Sequence, residues 1–142
     1  MIIFDTNVIS ELMRPGPDSE VLRWMDSQPM PSIWTTSVTL YELRAGILSM
    51  PAGRKRTALQ HFFEQWFNQV LERRILDFDA EAAERAAELE AAAKAKGRPV
   101  DPRNTMIAGI VLANHATLAT RNGKHFEEIA KSVVNPWGEG RE

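Results

Sequence analysis

The chain has 142 residues, the usual length of one domain, and we expect residues 1–142 to form a single domain. It contains no cysteine, which excludes disulfides and thiolate metal sites and fits a cytoplasmic location, and its formal net charge of −2 is far from the basicity of general nucleic-acid-binding proteins. No apolar run approaches the roughly 18 residues of a membrane-spanning helix, and the N-terminus lacks the basic region of a signal peptide.

Short apolar runs alternate along the chain with segments whose apolar residues recur every three or four positions, which is typical of strands alternating with helices. Strands are predicted near residues 1–4, 33–36, 75–78, 117–120 and 132–135. Helices are predicted over residues 6–13, 19–27, 37–48, 54–72, 80–96, 103–114 and 125–131, with Asp18 or Ser19, Ser37 and Asp79 capping the second, third and fifth. This order favours an α/β fold with a mostly parallel sheet between two layers of helices.

Polar side chains follow the predicted strands. Asp5 comes directly after the first strand, Glu42 lies on the helix after the second, and Asn122 follows the fourth. Asn104 begins the helix that leads into the fourth strand, on the same helix face as the apolar residues after it. Because functional groups of parallel sheets gather beyond the carboxyl ends of the strands, we expect these four side chains to meet at one edge.

Three of these residues also have a simpler explanation. Asp5 can cap the first helix, and Asn122 is a common turn residue. Glu42 borders an apolar helix face and can form a salt bridge with an arginine such as Arg44 or Arg121.

Two carboxylates and two amides at one sheet edge form an oxygen-only ligand set, which suits Mg²⁺ or Mn²⁺. Such an ion activates a water molecule and neutralises a phosphodiester during hydrolysis. His61, His115 and His125 lack the spacing of zinc ligands, and we expect His61 on a helix surface and His115 at a helix end.

Five motifs carry a family resemblance that spans nearly the whole chain. They are IFDTNVISEL at 3–12, SVTLYELRAG at 37–46, IAG at 107–109, LATRN at 118–122 and NPW at 135–137. With these motifs the sequence resembles the PIN-domain ribonucleases, specifically the VapC-type toxins of bacterial type II toxin–antitoxin pairs, including their FitB-like branch. The resemblance implies one PIN-like, three-layer α/β/α domain with about five strands.

The resemblance also implies a Mg²⁺-dependent endoribonuclease that leaves a 5′-phosphate and a 3′-hydroxyl. Asp5, Glu42, Asn104 and Asn122 match the family's catalytic positions, with Asp5 and Asn104 as metal ligands. Contacts from Thr6, Asn7 and Arg121 to substrate phosphates are expected as well.

Position 104 departs from the family pattern, because the family has aspartate where this chain has Asn104. An amide oxygen can still touch Mg²⁺ but carries no charge, so metal binding is expected to weaken and the nuclease to be weak or inactive. The asparagine is either natural or a deliberate inactivation. Asp101 is a poor substitute, since it precedes Pro102 and is expected outside the helix. The family often has aspartate at His125.

The resemblance implies a cognate antitoxin, an RNA substrate, a homodimer, and operator DNA bound only through the antitoxin, with no membrane partner. Apolar residues of the front helices are candidates for a groove that takes a partner helix, or else they pack in the core or a homodimer face. They are Leu12, Trp24, Phe62, Phe63, Trp66 and Phe67.

Other functions fit less well. A non-catalytic PIN-like module that sequesters antitoxin or RNA is the main alternative, and Asn104 favours it. A phosphoacceptor receiver is disfavoured because Asp77 lies inside the predicted third strand and no lysine ends the fourth. A phosphatase with a D-x-D motif is disfavoured because Thr6 and Asn7 follow Asp5.

Overall fold

The computed structural model describes residues 1–138. Its centre is a five-stranded sheet in the order β3-β2-β1-β4-β5, and all neighbouring strands are parallel. The strands are β1 Ile2–Phe4, β2 Ile33–Thr36, β3 Ile75–Leu76, β4 Thr117–Ala119 and β5 Val133–Val134. The prediction of a mostly parallel, about five-stranded α/β fold is therefore confirmed.

Helices connect the strands. The α-helices are α1 Thr6–Leu12, α2 Ser19–Asp26, α3 Ser37–Leu48, α4 Arg54–Gln65, α5 Ala80–Ala95 and α6 Pro102–Ala113. Short 3-10 segments cover Met30–Ser32 and Gly123–Ser132, and a π-helical turn covers Trp66–Val70. None of the helices within residues 1–138 combines the length and apolar character needed to cross a membrane.

The sheet separates two apolar layers. Successive residues of a strand point to opposite faces, so in β1 Phe4 packs with α1 to α4 while Ile3 packs with α5 and α6. Both strand residues are fully buried. The fold is thus the three-layer arrangement expected for parallel strands joined by helical crossovers.

Three local predictions were wrong. The third helix is capped by Thr36 and not Ser37, because the Thr36 hydroxyl accepts the Thr39 N–H at 3.1 Å. The fourth helix ends as an α-helix at Gln65 and continues as the π-helical turn, since the Leu71 N–H bonds back to the Trp66 carbonyl. The last helix is a 3-10 segment, interrupted where buried Phe126 and Ile129 leave helical conformation.

Gly109 sets the distance between α5 and α6. A Cβ at this position would lie 2.4 Å from the Ala82 carbonyl oxygen and 2.8 Å from the Ala86 Cβ. No side chain fits there unless one of the helices moves. The glycine therefore permits the close packing that places the N-terminus of α6, with Arg103 and Asn104, relative to the sheet.

Gly109→Ala should lower the free energy of unfolding by about 1–3 kcal/mol, since the added methyl overpacks a helix contact. Urea denaturation measures this. Gly46→Ala is the matched control, because Gly46 also lies within a helix but a methyl added there would meet no neighbouring element within 4 Å. That variant should gain up to about 1 kcal/mol from helix propensity. Equal stability of Gly109→Ala and the parent would contradict the close contact.

Candidate active site

The sheet has its topological switch point between β1 and β4. From β1 the chain builds β2 and β3 on one side, then crosses over to place β4 on the other. Asp5 directly follows β1, and its N–H donates to the Ala119 carbonyl at the end of β4 at 3.0 Å. In doubly wound sheets this crevice is where functional groups collect. The predicted site edge therefore coincides with the switch point.

Asp5 is a buried carboxylate, 5% exposed, held by neutral donors. It accepts hydrogen bonds from the Thr6 N–H at 2.8 Å, the Thr120 hydroxyl at 2.8 Å and the Asn7 side-chain amide at 3.3 Å. It also caps α1, so its simpler predicted role is confirmed. Burial raises the pKa of Asp5 and nearby Glu42 adds to the rise, although hydrogen bonds from Thr120 and Thr6 and the charge of His125 oppose it.

Glu42 lies beside Asp5 and shares a residue with it. The Thr6 hydroxyl donates to Glu42 Oε1 at 2.9 Å, while the Thr6 N–H donates to Asp5. Glu42 Oε2 lies 3.6 Å from an Arg103 guanidinium nitrogen. The predicted convergence of Asp5 and Glu42 is thus present in the structure, with Thr6 as the bridge.

The predicted salt-bridge partners of Glu42 were wrong. Arg44 stacks on Phe63 and lies 3.8 Å from Glu64. Arg121 stacks on Trp137, with its guanidinium carbon 4.9 Å from the ring centre. The arginine beside Glu42 comes instead from the first turn of α6, a helix distant in the chain.

Asn104 lies in that same first turn of α6, partly buried. With Thr105, Lys124 and His125 it lines a cavity of about 440 Å³ between α6 and the Gly123–Ser132 segment. Asp5 and Glu42 do not line this cavity. Among the described residues no hydrogen bond joins Asn104 to Asp5 or Glu42.

Asp101 has a structural task. It lies outside the helix as expected and caps α6, with one carboxylate oxygen accepting the Arg103 N–H at 2.9 Å and the Asn104 N–H at 3.5 Å. This capping fixes the start of the helix that carries position 104.

Asn122 is connected to Asp5 through one buried hydroxyl. The Asn122 N–H donates to the Thr120 hydroxyl at 3.1 Å, and that hydroxyl donates to Asp5. Asn122 also directly precedes the Gly123–Ser132 segment, and its carbonyl accepts the His125 N–H at 2.9 Å. Its side chain is partly buried near the switch point.

Asn7 and Thr120 were not predicted to organise the site. The Asn7 amide donates to Asp5 and, at 3.2 Å, to Thr120, and its oxygen accepts the Arg121 N–H at 3.1 Å. Asn7 therefore connects the segments that follow β1 and β4. The role predicted for Asn7 was a contact to substrate phosphates. The Asp-Thr-Asn sequence directly after the first strand is the feature that could have indicated this hydrogen-bonding role of Asn7.

The oxygen ligands fit a hard cation in type but not in number of charges. Within residues 1–138, no three histidine, aspartate or glutamate side chains gather closely enough to hold a metal ion. Asp5 and Glu42 supply two carboxylates, and the next predicted ligand, Asn104, is neutral. His61 is exposed on α4 and His115 follows α6, as expected.

An apolar groove lies on the other side of Glu42. Its volume is about 540 Å³, and residues of α1, α3 and α4 line it, including Met13, Leu43, Ile47, Leu59 and Phe62. Of the six residues predicted for such a groove, Phe62 lines it. The alternative, packing in the core, is confirmed for Phe63, Trp66 and Phe67, which are buried there, and Leu12 and Trp24 pack against the core.

A doubly wound sheet with two carboxylates at its switch point defines a class of α/β domain with an acidic site. The chain belongs to the PIN domain family, whose model matches residues 2–132. The resemblance to VapC-type, FitB-like toxins is confirmed by the relatives that follow.

The VapC ribonuclease Y4jK of Sinorhizobium fredii is 39% identical over 137 residues, 96% of this chain and 98% of that protein. The toxin FitB of Neisseria gonorrhoeae is 34% identical over 137 residues, 96% of this chain and 99% of that protein. A chain in the structure of FitAB bound to an IR36 DNA fragment superimposes with a TM-score of 0.88 at 34% identity, covering 97% of this chain and 96% of that chain.

Stability of the metal-free protein should depend on the titration of Asp5. Its raised pKa means that the folded state holds the proton more tightly than the unfolded chain, whose value is near 3.8. The free energy of unfolding therefore falls as pH rises from that value through the folded pKa, by at most about 1.4 kcal/mol per pH unit.

Asp5→Asn removes this titration, so its stability relative to the parent should increase with pH across the same window. Urea denaturation in EDTA over a pH series measures the difference. The same exchange at exposed Asp26 controls for the substitution itself. A difference between variant and parent that decreases with pH would show that the pKa of Asp5 is lowered.

Proposed function

We propose that this protein is a Mg²⁺-dependent endoribonuclease toxin of a toxin–antitoxin pair, weakened or inactive because Asn104 replaces a carboxylate. The observation that carries the proposal is the convergence of Asp5 and Glu42 through Thr6 at the switch point of a PIN domain. A ribonuclease among its relatives, at 39% identity, supports RNA as the substrate.

In this proposal Asp5 and Asn104 are the metal ligands, and Glu42 and Asn122 complete the catalytic set. Bound Mg²⁺, or Mn²⁺, would supply charge neutralisation at the phosphodiester and an activated water. The chain keeps Asp5 fixed by three hydrogen bonds and Glu42 fixed by Thr6, so neither carboxylate needs to reorganise. Burial of Asp5 beside Glu42 disfavours two negative charges, which favours a cation there.

Asn104→Asp should restore RNA cleavage in Mg²⁺ and raise metal affinity by at least about tenfold, because it adds the missing charge on an already capped helix. Cleavage of a mixed RNA substrate and isothermal titration with Mg²⁺ measure the two effects. Asn104→Asp combined with Glu42→Gln is the control and should cut no RNA.

Two outcomes separate the proposal from its alternative. Residual activity of the parent that disappears in Asp101→Asn would assign the third carboxylate to Asp101. A folded Asn104→Asp variant that binds no metal and cuts no RNA would overturn the nuclease proposal. The chain would then be a non-catalytic PIN-like module that sequesters antitoxin or RNA, which Asn104 and the Arg103–Glu42 pair already favour.

We also propose that the apolar groove between α1, α3 and α4 takes a helix of a cognate antitoxin. Phe62 is 42% exposed at the groove, with Leu43, Ile47 and Leu59 along its wall. An amphipathic helix would bury these side chains. The FitAB–DNA assembly of the similar chain supports such a partner. A homodimer, and operator DNA reached only through the antitoxin, complete the proposal.

Phe62→Ala should weaken binding of the co-expressed cognate antitoxin by at least about tenfold, because an exposed aromatic anchor is lost. Surface plasmon resonance with the purified antitoxin measures the affinity. Phe78→Ala is the matched control, since Phe78 is a similarly exposed phenylalanine that does not line the groove. Equal losses in both variants, or none in either, would place the partner elsewhere.

A further inference from the structure

We propose that Tyr41 and Arg103 form a binding site for one unpaired RNA nucleotide at the rim of the acidic site. Tyr41 would stack on the base, and Arg103 would bind the adjoining phosphate. The inference rests on the proposed function, which it deepens by stating how the RNA strand is held.

Tyr41 is the most exposed large hydrophobic side chain among residues 1–138, at 57%. It directly precedes Glu42 on α3. The guanidinium carbon of Arg103 lies 5.5 Å from its ring centre, so a cation already sits against the aromatic ring. More than half of the residue still faces solvent. An exposed ring of this kind is what proteins use to stack unpaired bases.

Arg103 is available for a phosphate. Its side chain is 53% exposed, and its closest nitrogen lies 3.6 Å from Glu42, which is too long for a hydrogen bond. A guanidinium has five N–H donors arranged to match phosphate oxygens. The Glu42 side chain is 22% exposed, so the arginine is the exposed partner of this pair, and more than half of its side chain remains open to a phosphate.

The acidic site needs such a cation. Asp5 and Glu42 repel the phosphates of RNA, and the net charge of −2 gives no general attraction. Two other arginines near the site are occupied, Arg98 by Glu127 and Glu128, and Arg121 by the Trp137 ring. Arg103 is the arginine that stands directly beside Glu42.

Both binding residues are held on helices and adjoin candidate catalytic residues. Tyr41 precedes Glu42 on α3, and Arg103 precedes Asn104 in the first turn of α6. Arg103 lies 3.6 Å from Glu42 and its guanidinium carbon lies 5.5 Å from the Tyr41 ring centre, so a phosphate bound by this arginine would lie beside the acidic site. Neither Tyr41 nor Arg103 lines the apolar groove, although Glu42 does, so the two proposed surfaces adjoin at Glu42 and use different binding residues.

Fluorescence anisotropy with a short labelled single-stranded RNA, in EDTA so that no cleavage occurs, tests the proposal. Tyr41→Ala should weaken binding about tenfold, while Tyr41→Phe should stay within about twofold of the parent because the ring remains. Arg103→Gln should weaken binding and lower the dependence of log affinity on log salt by about one, with Arg103→Lys in between. Phe78→Ala, an exposed phenylalanine outside both the apolar groove and the cavity beside Asn104, is the control and should bind RNA like the parent.

An RNA with one abasic position, moved along the strand, identifies the stacked base. At that position the parent should lose about tenfold in affinity and Tyr41→Ala almost nothing. No measurable RNA binding by the parent, or parent-like binding by Tyr41→Ala, overturns the proposal. Loss of antitoxin binding by Tyr41→Ala with RNA binding intact would assign the ring to the protein partner and overturn it as well.

Failure of this inference is distinguishable from failure of the proposed function. If Asn104→Asp cuts RNA and adding Tyr41→Ala leaves KM unchanged, the nuclease stands and the nucleotide site does not. If Asn104→Asp neither cuts nor binds RNA, both proposals fail. A KM raised about tenfold with kcat nearly unchanged is the expected result for a residue that binds substrate.

Discussion

The structure of the candidate site depends on one buried hydroxyl. Thr120 donates to the Asp5 carboxylate and accepts from the Asn7 amide and the Asn122 N–H, so this one hydroxyl connects three polar residues of the site. A carboxylate without solvent or a cation is costly to bury. Three neutral donors reduce this cost without cancelling the charge, which makes the switch point a place where a positive group is stabilised.

The second carboxylate, Glu42, already has a positive group of the protein beside it. Glu42 faces Arg103, a cation supplied by the protein, and position 104 beside it is neutral. The charges at this edge are therefore closer to balance than in a site with three carboxylates. Because Arg103 offsets part of the negative charge, a metal ion would gain less electrostatic stabilisation at this site. Arg103 is also the charged group that a ligand approaching Glu42 from solvent would contact.

Much of this arrangement could be predicted from the chain, and the rest could not for identifiable reasons. The strands, the position of Asp5 at the end of β1, that of Glu42 on the helix after β2, and Asp101 outside α6 follow from local pattern. The pairing of Glu42 with Arg103 could not be predicted, because it depends on how α6 packs across the sheet. Which of the aromatic residues at 62–67 would line a groove and which would enter the core also could not be decided from the sequence, because exposed Phe62 and buried Phe63 are adjacent and their burial depends on how the helix packs.

The close contact at Gly109 has a consequence for how this protein can evolve. A side chain at position 109 would meet the Ala82 carbonyl oxygen and the Ala86 Cβ, so substitution of Gly109 is conditional on movement of one of the two helices. A bulkier residue at Ala86 would displace α6 as a whole. The position of Arg103 and Asn104 at the start of α6 thereby depends on small residues of α5 that lie away from the acidic site. Substitutions of those small residues can alter activity while leaving every polar group of the site chemically unchanged.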